Sequence, residues 1–179
     1  MSSTRAALIV IDMQNGFIND QSRHVIPKVV ELVERWEDTG RPVVFTRYHD
    51  YPGSPFERLI HWSKVQHTPE TEIVPELSQH AARARTVLDK RIYSYFTSEG
   101  ADIAAWEGWT DLVFCGVPTE SCVLKSAVDA LVDLGRFRPL WGLFSPMRCV
   151  SVEVPIHVSV GRDLGSGGVC CRAWLLGGM

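Results

Sequence analysis

The stretch Ala6-Ala7-Leu8-Ile9-Val10-Ile11-Asp12 decides the fold: six apolar residues in a row, stopped by a carboxylate. A run this long lacks the period-2 alternation of a strand with one wet face. It is the pattern of a strand buried on both faces, which occurs in parallel sheets. Working outward, Ile26, Val29, Val30, Val33 and Trp36 recur at helical spacing, Pro27 suits a first helical turn, and Gly40 closes the helix. Pro42-Val43-Val44-Phe45-Thr46 follows as a second, β-branched strand. Strand, helix, strand in this order imply a right-handed crossover onto a parallel sheet.

Residues 48–80, punctuated by Pro52, Gly53, Pro55, Pro69 and Pro75, read as an irregular loop, and a loop of that length in a compact domain is usually functional or else hides elements of its own. Thr86-Val87-Leu88-Asp89 resumes as a strand ending at Lys90. Thr97 or Ser98 caps a helix through Trp106, and Asp111-Leu112-Val113-Phe114-Cys115 is the next strand. After a turn at Gly116-Val117-Pro118, Thr119 serves as N-cap for a helix with Val123, Ala127, Leu131 and Leu134 on one stripe, ending at Gly135. The expected architecture is an α/β fold, a three-layer α/β/α sandwich on an open parallel sheet.

The chain has 179 residues, 45% of them hydrophobic and 22% charged, with a formal net charge of −3. That balance offers no basic footprint for nucleic acid or an anionic membrane. No apolar run approaches the roughly 18 residues of a membrane span. Met1-Ser2-Ser3-Thr4-Arg5 has no signal-peptide pattern, so a cytoplasmic location is the expectation. Five cysteines without a CxxC pair fit neither a disulfide framework nor a structural zinc site, and reduced thiols are expected.

These averages hide a break. Residues 1–135 carry 13 Lys and Arg against 19 Asp and Glu, a net of −6, whereas residues 136–179 carry 5 Arg, no Lys and 2 acids, a net of +3. Seven of the 14 glycines and three of the five cysteines fall in those last 44 residues. The reading is a core domain over residues 1–135 and a divergent or frameshifted tail over 136–179 that completes the same domain poorly. The gene's other two frames beyond codon 135 decide between the two: a strand-helix-strand continuation in neither removes the frameshift.

In open α/β sheets, sites form beyond the carboxyl ends of the strands. Asp12 follows the first strand, Lys90 the third, and Cys122 opens the helix after the fourth. A thiol in a first helical turn feels the positive end of the macrodipole, which favours thiolate, and a nearby cation pushes the same way. A carboxylate can take the thiol proton, and backbone N–H groups at the helix start can stabilise an oxyanion. Each residue also has a plain alternative: Cys as a small buried hydrophobe, Asp as a turn residue, Lys as a surface charge. Phe17, Tyr48, Trp62, Tyr93 and Phe96 flank the trio and are candidates for an apolar cleft, with Phe96 equally readable as core. Arg47, His49 and Arg91 are candidates for holding a substrate carboxylate.

The segments Ile9-Val10-Ile11-Asp12-Met13-Gln14, Lys90-Arg91-Ile92-Tyr93-Ser94-Tyr95-Phe96 and Cys115-Gly116-Val117-Pro118-Thr119-Glu120-Ser121-Cys122-Val123 resemble the three signature segments of the isochorismatase-like cysteine hydrolases. The resemblance covers about residues 6–135. It implies a Cys122 nucleophile, an Asp12 base, a Lys90 cationic partner, and hydrolysis of a small amide, carbamoyl compound or vinyl ether. It also implies a homodimer or higher homo-oligomer, with a small molecule as the only other partner. Relatives hold a cis peptide at the bond matching Val117–Pro118, and donate to the oxyanion from the residue matching Pro118. Proline suits the cis bond but has no N–H, and losing one such donor costs about 10²–10³ in rate. A catalytically weak, ligand-binding protein is therefore the alternative.

Nicotinamidase-type relatives bind a divalent ion through an Asp-x-His pair after the second strand and a further His. This chain reads Thr46-Arg47-Tyr48-His49-Asp50-Tyr51 there, with His61 and His67 downstream, so the order is wrong: neither metal nor cofactor is expected, and a metal-dependent nicotinamidase-type amidase stands as a lesser alternative. A family member would continue past Gly135 into further strands and a helix. Arg136-Phe137-Arg138-Pro139-Leu140 makes a poor central strand, Val150 to Val160 alternates, and residues 163–179 are Gly-rich. A thiol-redox protein using Cys115, Cys122 and Cys170-Cys171 ranks last among the readings.

Overall fold

The computed structural model describes residues 5–133, 138–140 and 156–159. Four strands, β1 (Ala6–Ile11), β2 (Val43–Tyr48), β3 (Thr86–Lys90) and β4 (Asp111–Gly116), form a parallel sheet. Five helices accompany them: α1 (Ile26–Glu37), α2 (Pro55–Ile60), α3 (Pro75–Arg83), α4 (Ser98–Glu107) and α5 (Leu124–Asp133). β1 lies centrally, with Leu8 beside Val43 on one neighbour and Ile11 beside Gly116 on the other.

All six residues of β1 are buried, and the pleat divides them between two cores. Ala7, Ile9 and Ile11 join Ala104 of α4 and Ala127 and Ala130 of α5. Leu8 and Val10 join Ile26, Val29 and Val33 of α1 and Leu77 of α3. Successive side chains leave a strand on opposite faces, so one apolar run supplies both layers of the three-layer fold. Of the stripe read on the last helix, Val123 and Ala127 are buried; the side chains of Leu131 and Leu134 lie outside the described residues.

The sheet departs from a purely parallel one beyond β4. Two short strands, β5 (Arg138–Leu140) and β6 (Ile156–Ser159), extend it antiparallel in the order β3-β2-β1-β4-β6-β5. Pro139 thus lies in an edge strand, the place where a residue without an N–H is tolerated. Gly135, Cys170-Cys171 and residues 163–179 lie outside the described residues.

The expected loop over residues 48–80 instead holds α2 and begins α3. Ser54 caps α2 by accepting from the Glu57 N–H at 3.1 Å, Pro55 occupies the first turn, and the Glu57 carboxylate reaches back to the Gly53 N–H. Pro75 likewise starts α3, which is tied to the end of α1 where His80 meets Glu37 at 3.0 Å. After β4, Gly116 adopts φ +122, and a Cβ there would lie 2.0 Å from the Ile11 carbonyl oxygen, so only glycine fits. The N-cap of the following element is Pro118, not Thr119: the chain enters extended at Pro118, and Thr119–Val123 forms a π-helical turn running into α5.

Cys115 on β4 is buried, and burial pushes its thiol up to about 12 from 9. Below pH 9 both folded and unfolded chains keep this proton; between 9 and 12 only the folded chain does. The native state then binds more protons, so stability falls as pH rises, by about 1.4 kcal/mol per pH unit from this group. The stability difference between wild type and Cys115→Ala is expected to shift by about 1–2 kcal/mol between about pH 9 and pH 10.5, favouring the variant. Urea melts across that range measure it, and a constant difference would mean the thiol ionises equally in both states.

Candidate active site

The trio of strand-end residues meets beneath a cavity. Asp12 follows β1 in the left-handed region at φ 48, a conformation Asp tolerates better than most residues. Its backbone N–H donates to Thr46 Oγ1 at 3.1 Å, and that hydroxyl donates back to Asp12 Oδ1 at 2.6 Å. Lys90 Nζ lies 2.6 Å from the other oxygen, Oδ2, with both side chains fully buried. The remaining ammonium protons go to the carbonyls of Ile92 and Tyr93, both at 3.1 Å. Three donors on three acceptors satisfy the ammonium, which makes the buried pair tolerable.

Cys122 Sγ hydrogen-bonds to Asp12, and the Ser121 hydroxyl bonds to the same sulfur. The position of Cys122 is fixed by Ser126, whose Oγ donates to the Cys122 carbonyl at 2.7 Å and accepts from the Tyr95 N–H at 2.8 Å. The thiol is pushed well above its ordinary range, first by burial and then by the Asp12 charge, against the opposing effects of Lys90 and Ser121. This corrects the expectation of a helix-stabilised thiolate. Burial and the neighbouring carboxylate hold the resting group as a thiol that donates to Asp12.

Above the sulfur is a cavity of about 170 Å³ lined by Phe17, Tyr48, Phe56, Ile60, Trp62, Tyr93, Pro118, Ser121 and Cys122. Its rings pack on one another: Phe17 stacks on Trp62 at 5.7 Å, and Phe56 meets Tyr48 at 5.9 Å and Tyr93 at 5.3 Å. Phe96 is not among them. It lies edge-on to Tyr95 at 5.1 Å and packs against the core shared with α4 and α5. Val117 is buried in the opposite core and donates its N–H to the Ile11 carbonyl at 3.0 Å; the Val117–Pro118 bond is cis.

Sequence reasoning missed Phe56, Ile60, Thr46, Gln14 and Ser121. Gln14 is fully buried and clamps Tyr48 from both sides, accepting from its N–H at 2.7 Å and donating to its carbonyl at 3.0 Å. This clamp aims the Tyr48 ring, whose centroid lies 5.4 Å from Lys90 Nζ. The candidate anion-holding residues are engaged elsewhere. Arg47 makes a two-pronged bond to Asp89 at 2.7 and 2.9 Å, His49 Nε2 meets the same carboxylate at 3.1 Å, and Arg91 lies over the Tyr51 ring.

A family model described as an isochorismatase domain matches residues 6–134. A probable inactive nicotinamidase of Arabidopsis thaliana is 28% identical over 141 residues, covering 70% of this chain and 72% of that relative. Among solved structures, N-carbamoylsarcosine amidase from Thermoplasma acidophilum aligns with a TM-score of 0.66 at 26% identity, covering 73% of this chain and 78% of the other. The pyrazinamidase of Pyrococcus horikoshii in complex with zinc aligns with a TM-score of 0.62 at 30% identity, covering 72% and 79%. Among the described residues, the possible metal ligands after β2 are not gathered into a site. Among the described residues no three His, Cys, Asp or Glu converge, and His49 is held on Asp89. Asp50 offers one buried oxygen without a partner, and its other oxygen accepts from Gln66 at 3.2 Å. No helix among the described residues is long and apolar enough to cross a membrane.

Proposed function

The chain belongs to the isochorismatase domain family of hydrolases, and from that premise we propose that it cleaves the amide of a small, uncharged, ring-bearing molecule through a covalent intermediate on Cys122. One observation carries the reading: a thiol at the floor of an aromatic cavity is hydrogen-bonded to a carboxylate that is itself paired with a buried ammonium. In the first step Asp12 takes the thiol proton as sulfur attacks the carbonyl carbon. The C–S bond forms and the carbonyl π pair moves to oxygen. Collapse breaks the C–N bond, and Asp12 returns the proton to the leaving nitrogen, leaving a thioester. Water then attacks the thioester, giving its proton to Asp12; the C–O bond forms and the C–S bond breaks. The sulfur recovers the proton, and a carboxylic acid leaves.

Moving the proton from sulfur to Asp12 transfers one negative charge between two groups in the field of the same ammonium. The buried site keeps its net charge, so Lys90 stabilises the thiolate as it forms without touching substrate. The substrate class follows from the lining. Among the described residues the cavity wall holds no charged side chain, which disfavours a carboxylate-bearing substrate. Its volume is close to that of an apolar cavity of about 150 Å³ that accommodates benzene, which suits one ring with its amide.

The test is hydrolysis of nicotinamide, benzamide and N-carbamoylsarcosine, paired with iodoacetamide labelling and peptide mapping. The two uncharged aromatic amides are expected to turn over faster than the carboxylate by at least about tenfold in kcat/KM, with Cys122 labelled and activity lost in parallel. The opposite preference would overturn the substrate class, and labelling with no turnover would favour the second reading, an amide-binding protein. Pro118 motivates that second reading, because the cavity wall beside Cys122 has no N–H at this residue.

A further inference from the structure

We propose that the Ser121 hydroxyl is the side-chain donor to the oxyanion formed when Cys122 attacks. This rests on the cysteine-hydrolase reading above. An oxyanion created by that attack lies beside Sγ, and a useful donor must reach it at about 2.7–3.1 Å. Around the sulfur the backbone offers the N–H of Cys122 itself, and few of its neighbours can join it. Pro118 lines the cavity and has no N–H, while the N–H groups of Ser121 and Val123 both point back to the Pro118 carbonyl, at 3.4 and 3.3 Å. Lys90 has its three protons on Asp12, Ile92 and Tyr93.

Ser121 answers both requirements at once. It lines the cavity next to Cys122, and its hydroxyl bonds to the sulfur itself. A hydroxyl is a rotor, so a donor resting on Sγ can turn to the oxygen two bonds away from it. As sulfur gives up its electron pair to the new C–S bond it becomes a poorer acceptor, while the carbonyl oxygen becomes a better one. The hydrogen bond then transfers in the direction the charge moves, and it is stronger in the transition state than in the ground state, the condition for raising kcat. Tyr48 and Tyr93 also line the cavity, but neither bonds to the sulfur among the described contacts.

The experiment compares Ser121→Ala and Ser121→Thr with wild type, on whichever of nicotinamide or benzamide the wild type hydrolyses better, with two readouts. Hydrolysis passes through an oxyanion; alkylation of Cys122 by iodoacetamide, a displacement at a saturated carbon, does not. Ser121→Ala is expected to lower kcat by about 10²-fold with KM changed less than about threefold, while the alkylation rate changes less than about threefold. Ser121→Thr, which keeps the hydroxyl, is expected to stay within about fivefold of wild type. Equal losses in hydrolysis and alkylation would overturn the proposal, since Ser121 would then act on the thiol alone. An unchanged kcat in a folded Ser121→Ala variant overturns it as well, and so does a Ser121→Thr variant as slow as Ser121→Ala. If the wild type hydrolyses no amide, or Cys122→Ala hydrolyses as well as wild type, the hydrolase reading fails and takes this proposal with it.

Discussion

Cys122→Ser lowers amide hydrolysis by at least about 10⁴-fold while leaving the protein folded. The fold tolerates this exchange because serine is close in size and can give Asp12 the same hydrogen bond at this 2%-exposed position. The chemistry does not tolerate it. A hydroxyl surrenders its proton far less readily than a thiol, and Asp12 is a weak base for that task without a histidine between them. Alkylation supplies the second measurement: iodoacetamide adds to the wild-type peptide carrying Cys122 and leaves the variant unmodified there. Cys115 is an internal control. It is buried too, but in the core on the other face of the sheet, and Cys115→Ala is expected to keep full hydrolytic activity. Retained hydrolysis in Cys122→Ser would move the nucleophile elsewhere and end the covalent mechanism.

The legible part of this protein was the part written in short-range patterns. Ala6–Ile11 announces burial on both faces, and its pleat does place Ile9 and Val10 in opposite cores. Asp12, Lys90 and Cys122 could be singled out because each follows a strand read from its own apolar run. Over residues 48–80 the prolines concealed structure. Ser54-Pro55-Phe56-Glu57 is a helix start in sequence terms, with an N-cap, a first-turn proline and an acid at the third helical position. Reading it so would have brought Phe56 and Ile60 to the cavity. Other features left no local trace. Thr46 and Gln14 act on partners 34 residues away, and no spacing rule links them. The elevated thiol of Cys122 depends on how much protein surrounds the sulfur, which the helix-start argument cannot weigh. Phe96 went to the core because Tyr95 and the neighbouring helices offer it an apolar surface on the side away from the cavity.

The second large effect concerns stability. Lys90→Met is expected to destabilise the protein by about 3–5 kcal/mol, because it strands the Asp12 carboxylate in a site with no solvent access. It also frees the Ile92 and Tyr93 carbonyls. Asp12→Asn leaves the ammonium uncompensated and is expected to cost a comparable amount; Asn is the apt replacement because it too accepts the left-handed φ at this position. Removing both charges together is the informative step. Asp12→Asn/Lys90→Met buries no unpaired ion, so its loss should be smaller than the sum of the single losses by at least about 2 kcal/mol. Urea unfolding of the four proteins at one pH closes the cycle. Additive losses would show that the two groups do not sense each other and would remove the charge-compensation argument for the site. With coupling present, the double variant should fold and yet hydrolyse no amide, since it has neither base nor ammonium. A buried ion pair that neutral side chains can replace in the fold, but not in the reaction, is kept for its chemistry: its desolvation is a standing cost that an apolar pair would avoid.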